Sequence, residues 1–179
     1  MPVLGIIASS KVGIPPNSYE SIATTTVGVG GSSSITFTSI PQTYKHLQIR
    51  AIAQQVTGGF VSVTLDNATF VYRHYLLGNG STLSSGADTT NAPGIFSTNA
   101  VNGASIFGAS VLDILDYTST NKNKTFRSIG GSDSNGSGSI LFLSALFTSS
   151  STVTSITLTA NTSVFTQYSQ FALYGIKGA

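Results

Sequence analysis

Hydrophobic and polar residues alternate along most of this chain with a period of two. Over 34–53, Ile35 and Phe37 share one face against Thr36 and Thr38, and Leu47, Ile49 and Ala51 share one face against His46, Gln48 and Arg50. Such alternation belongs to strands buried on one side. Pro41 splits the stretch: it has no N–H for a ladder and biases Ile40 towards an extended conformation. One strand therefore ends, the chain turns a corner and a second strand begins. The same pattern predicts a weak strand over 19–29 and a strand over 60–65 with Val61, Val63 and Leu65 on one face, closed by a turn at Asp66-Asn67. Further strands are predicted over 71–77, 105–117, 125–129, 153–160 and 168–177. Residues 139–147 are apolar on both faces, which predicts a central strand covered on each side or a subunit contact. Segments 28–32 and 130–138 read as glycine- and serine-rich loops, 119–124 as a polar tip, and 78–102 as a long excursion with a strand at Ile95-Phe96. No stretch shows an amphipathic helical stripe with caps. About nine to eleven short strands between Gly, Pro, Asn and Ser turns predict an all-β, antiparallel β-sandwich of jelly-roll-like type.

A chain of 179 residues suffices for one domain. Charged residues make up 8% of it, against about 25% in typical soluble proteins, so Ser and Thr must supply most of the polar surface. The eight Lys and Arg residues are scattered without a basic stripe, which argues against nucleic acid as a partner, since phosphate binding needs clustered cations. Cysteine is absent, and with it disulfides and thiolate metal sites, which leaves core packing or assembly as the sources of stability. The apolar start over 1–10 has no basic lead-in, breaks at Ser9 and is too short for a membrane span. It reads as a retained, extended N-terminal arm (1–18) ahead of the sandwich domain (19–179). The arm carries Val3, Leu4, Ile6 and Ile7 and joins the body through Gly13 and Pro15-Pro16. It either forms a first strand on its own sheet or adds to a neighbouring subunit, and these four residues are the candidate partner contacts.

Candidate chemistry is sparse. His46 and His74 have no second ligand nearby in sequence, so each reads as an ordinary strand residue and zinc is not expected. Asp113 and Asp116 stand three apart, which on a strand sends them to opposite faces and prevents them from sharing a proton. Asp116 reads as the start of a turn, and Asp113 as a buried group with Arg50 or Arg127 as partner. The segment Asp133-Ser-Asn-Gly-Ser-Gly138 has some calcium-loop residues, but Ser144 occupies the position of the required glutamate. The glycines of 28–31 precede a strand, not the helix a phosphate loop requires. No Gly-x-Ser-x-Gly elbow occurs. No enzyme and no cofactor are expected.

Five phrases together resemble a known group: Leu4-Gly-Ile-Ile-Ala-Ser-Ser, Ser18-Tyr-Glu-Ser-Ile-Ala-Thr-Thr-Thr-Val-Gly, Phe37-Thr-Ser-Ile-Pro-Gln-Thr-Tyr-Lys-His-Leu-Gln-Ile-Arg, Asp113-Ile-Leu-Asp-Tyr and Phe171-Ala-Leu-Tyr-Gly-Ile-Lys. They are similar to small β-rich structural proteins of tailed bacteriophages, including phages of cyanobacteria and marine bacteria. That likeness implies a non-enzymatic virion component and leaves its station on the particle open. The expectation is a capsid decoration (cement) protein on the capsid exterior, a homo-oligomer with a trimer favoured, that clamps neighbouring major capsid subunits. The alternative is a tail fibre or receptor-binding module recognising host surface glycans, with Tyr72, Tyr75 and the 78–102 excursion as contacts.

Overall fold

A computed structural model of the chain describes residues 18–66, 68–69, 72–89, 93–100 and 103–178. Their strands are β1 (Tyr19–Thr26), β2 (Ser34–Phe37), β3 (His46–Gln55), β4 (Phe60–Leu65), β5 (Ala68–Thr69), β6 (Tyr72–Gly78) and β7 (Leu83–Asp88). The second half adds β8 (Pro93–Phe96), β9 (Thr98–Asn99), β10 (Gly108–Leu115), β11 (Lys124–Asp133), β12 (Gly138–Phe147), β13 (Ile156–Ala160) and β14 (Gln170–Ile176). The arm residues Val3, Leu4, Ile6 and Ile7 lie outside the described residues.

Two sheets pack face to face in an all-β sandwich. The large sheet has the order β1-β14-β3-β10-β11-β12-β6-β7, with β9 beside β3; the small sheet runs β2-β13-β4-β5, with β8 also on β4. Among the described residues every strand pairing is antiparallel except the short β3–β9 contact. The period-two pattern sets what lies between the sheets. Leu47, Ile49, Leu112, Ile114, Phe126 and Leu143 enter from the large sheet, and Val61, Val63, Leu65, Ile95, Ile156 and Leu158 from the small one, all at most 1% exposed. Burying side chains of this size stabilises by about 1.5–3 kcal/mol each before entropy is set against it.

Pro41 sits at the corner that carries the chain from β2 in the small sheet to β3 in the large one. The corner is tied down on all sides. Tyr117, wholly buried, donates its hydroxyl to the Pro41 carbonyl, the Ile40 amide bonds Thr154 O at 3.0 Å, and Gln42 Nε2 donates to Ile40 O and Val153 O, both at 2.9 Å.

Three expectations need correction. Residues 130–138 are mostly strand: β11 continues through Gly130 and Gly131 to Asp133, paired residue by residue with β12. These glycines answer to close packing, since a Cβ on Gly131 would lie 2.5 Å from Ser139 O. The loop proper is the two-residue turn Asn135-Gly136, with φ of 55° and 103°, a hairpin reversal that favours this dipeptide; Asp133 Oδ1 there accepts the Asn135 amide at 2.8 Å. The tip at 119–124 is not wholly polar surface either, because Lys124 is fully buried. Its ammonium caps the carbonyls of Ser119 and Lys122 at 2.5 and 3.0 Å. Finally, of the two alternatives for 139–147, the strand covered on each side is overturned and the subunit contact is not: Leu141, Leu143, Ala145 and Phe147 are buried, whereas Ile140 and Phe142 stand exposed in the single chain.

Candidate interaction surface

The outward face of the large sheet follows from its register. In one row across the strands Arg50 faces Val111, Val111 faces Ile129, Ile129 faces Phe142 and Phe142 faces Leu76. In the next row Ile52 faces Ala109, Ala109 faces Gly131, Gly131 faces Ile140, Ile140 faces Gly78 and Gly78 faces Leu83. Six large side chains in these rows, Ile52, Leu76, Leu83, Ile129, Ile140 and Phe142, are 47 to 77% exposed. Large and minimal residues alternate, so the surface is ridged. The Ile140 and Leu83 side chains flank Gly78 on either side, at 3.5 and 4.0 Å from where its Cβ would be. A shallow groove of about 730 Å3 runs over Ala109, Gly130 and Gly131 between Ile52, Ile129 and Ile140.

A polar row borders this apolar field, in which Tyr174, Gln48, Asp113, Arg127, Ser144 and His74 face one another in turn. Gln48 Nε2 donates to Asp113 Oδ1 at 2.8 Å, and Arg50 Nε donates to Gln48 Oε1 at 2.9 Å. The direct partner of Asp113 is thus Gln48, and Arg50 reaches it only through that amide. The Arg50 guanidinium also lies over the rings of Tyr174 and Tyr19, at 5.1 and 5.6 Å, an arrangement that holds a cation and two aromatic faces fixed.

Ionisable groups gather elsewhere, in the turns at one end of the sandwich. Asp116, in a left-handed conformation with φ of 48° just after β10, pairs with Lys122 and with Lys45, the latter at 3.0 Å. Hydrogen bonds from Lys122 and then Lys45 hold its carboxyl at about 2, below the ordinary 3.8. Its amide donates to His46 Nδ1 at 2.9 Å, which leaves the ring proton on Nε2. Burial pushes the Lys124 ammonium downward. Glu20 is lowered by hydrogen bonds from Lys177 and Tyr44. At the same end Asp66 Oδ1 accepts from the Thr154 and Ser155 amides at 3.0 and 2.8 Å and from both of their hydroxyls. These contacts brace turns. Among the described residues no three His, Cys, Asp or Glu side chains converge on a position for a metal ion.

The two tyrosines singled out in the sequence do not share a surface. Tyr72 stands on the outward face of β6, half exposed; Tyr75 is turned to the other face, packed against the core, with Arg73 5.3 Å above its ring. Gly86 leaves room for that ring, whose hydroxyl would lie 2.6 Å from a Cβ there. Asp113 and Asp116 are likewise apart, one in the sheet and one in the turn. Sequence reasoning missed Ile52, Leu76, Leu83 and Ile129 as surface groups. The signal was present, since strands apolar at both odd and even positions must either be covered twice or leave one apolar face open. Two buried glutamines were missed as well. Gln55 donates to Phe60 O and Ser97 Oγ at 2.8 and 2.6 Å and accepts the Asn161 amide at 3.1 Å. Gln54 donates to Gly103 O and Ile106 O at 2.9 and 2.8 Å.

No protein-family profile, no curated protein and no solved structure matches the chain.

Proposed function

We propose that this chain is a non-enzymatic structural component of a tailed-bacteriophage virion, a decoration protein on the capsid exterior that clamps neighbouring major capsid subunits as an oligomer. The observation that carries this reading is the open apolar face of the large sheet. Isolated exposed apolar residues are ordinary, but a contiguous ridged field of them favours burial against protein. The phage-like phrases support the virion setting. Several modest contacts made from one rigid body raise the effective concentration of each, so a shell can be braced without a covalent step.

The finer fold assignment in this proposal is a jelly roll, the architecture of many capsid and lectin domains. It is supported by nested pairing: β1 pairs with β14, β2 with β13, β3 with β10 and β4 with β8. Such pairing is that of a long hairpin wound into two sheets, with β6, β7, β11 and β12 as insertions that widen the large sheet and β5 as a short addition to the small one. The test is copy number on purified particles. Hundreds of copies spread over the shell are expected; a few to tens, confined to the tail, would overturn the shell station and favour the receptor-binding reading.

A further inference from the structure

We infer that the apolar outer face of the large sheet is a two-fold contact between two copies of this chain. The inference deepens the assembly part of the proposed function and replaces the threefold association expected from sequence with a face-to-face pair of large sheets.

Size, charge and shape each favour a second copy. Six side chains that are 47 to 77% exposed offer on the order of 600 Å2, the top of the range for the largest patch on a monomer and close to the ~800 Å2 per partner of a standard interface. The two apolar rows contain a single ionisable side chain, Arg50, and it is already held by Gln48, Tyr19 and Tyr174. These two rows, almost without charge, can lie against their own copy with little like-charge repulsion, and ionisable groups stand in the bordering row, at Asp113, Arg127 and His74. The relief is self-complementary. Along one row the ridges Ile52, Ile140 and Leu83 are separated by furrows at Ala109-Gly131 and at Gly78. An identical sheet packed at the usual angle of roughly 30° can set its ridges into those furrows.

The absence of cysteine makes the test clean. Ile129→Cys and Val111→Cys near the middle of the face, and Thr157→Cys in the small sheet as the control, are prepared in the full-length chain and treated with a short bis-maleimide. A dimer-sized product from the first two and none from Thr157→Cys is the expected result. Sedimentation of the wild type should give a dimer. The double variant Ile129→Lys, Phe142→Lys should weaken it at least tenfold with unchanged far-ultraviolet circular dichroism, since both side chains are already exposed. A monomeric or trimeric wild type, equal cross-linking of all three variants, or a dimer indifferent to both lysines would overturn the contact. A chain that fails these tests yet decorates particles loses the two-fold contact and keeps the virion assignment. One that passes them but is missing from particles keeps the contact and loses the virion assignment.

Discussion

The two outer faces of the sandwich are built from opposite materials. On the small sheet Thr36, Thr157 and Thr64 stand in one row and Ser34, Thr159 and Ser62 in the next, with a hydrogen bond of 3.1 Å between the Thr36 and Thr157 hydroxyls. On the large sheet the corresponding rows are Val111, Ile129, Phe142 and Leu76, and Ile52, Ala109 and Ile140. Both sheets present the same kind of aliphatic side chains to the shared core, so the difference is not a demand of folding. Threonine suits a strand as well as isoleucine does, because β-branching favours the pleat in either case. A chain that places hydroxyls on one outer face and hydrocarbon on the other has one face suited to water and one suited to protein.

This contrast can be broken or sharpened experimentally. The largest effect belongs to the layer both faces share: Leu112→Ala should lower stability by about 2–5 kcal/mol, seen in urea unfolding as one transition for both sheets. Next is the clamp at the end of the small sheet. Asp66→Ala leaves the Thr154 and Ser155 amides without their acceptor, and a loss of about 1–3 kcal/mol is expected. The corresponding clamp of the large sheet can be released by acid. The Asp116 carboxyl sits at about 2 when folded, below its ordinary 3.8. Its contribution is therefore complete above about pH 5 and is lost as the pH falls through about 2. Asp116→Asn should flatten that part of the stability–pH curve measured by thermal melts. The smallest effect sharpens the contrast itself: Thr157→Val on the hydroxylated face should shift stability by no more than about 0.5 kcal/mol. Sedimentation of the dimer should scarcely change with it, while Ile140→Ser together with Ile129→Ser on the other face should shift it towards the monomer.

How far the sequence reveals this molecule depends on the range of the interaction concerned. Local alternation suffices for β2, β3, β4 and β13, where one side of the strand is apolar and the other hydroxylated, and Pro41 marks the change of sheet unaided. It fails for β11, because Gly130 and Gly131 suggest a loop when read locally but are required by the approach of the Ser110 and Ser139 regions from neighbouring strands. Lys124 misleads for the same reason, as its burial depends on carbonyls that converge only once the turn has formed. The tyrosine pair shows the limit from the other side: Tyr72 and Tyr75 are three apart, so period-two geometry already separates their faces. The apolar surface was half legible, in the double-sided hydrophobicity of 139–147. Its extent was not, because Ile52, Ile129, Ile140 and Leu83 become neighbours only through pairings between distant segments.

The pairing of β1 with β14 also governs when the protein can be finished during synthesis. β1 cannot pair until β14 has been made, and β2 likewise waits for β13. Neither sheet can close before these late strands emerge, and contacts of such long sequence separation are slow to form. Until those late strands arrive, the hydrocarbon face and its neighbouring strand edges are displayed without their final surroundings, when encounters between nascent chains on one messenger carry the greatest risk of mispairing. A cell producing this protein in quantity would be expected to rely on chaperones that hold the open strands until β13 and β14 arrive.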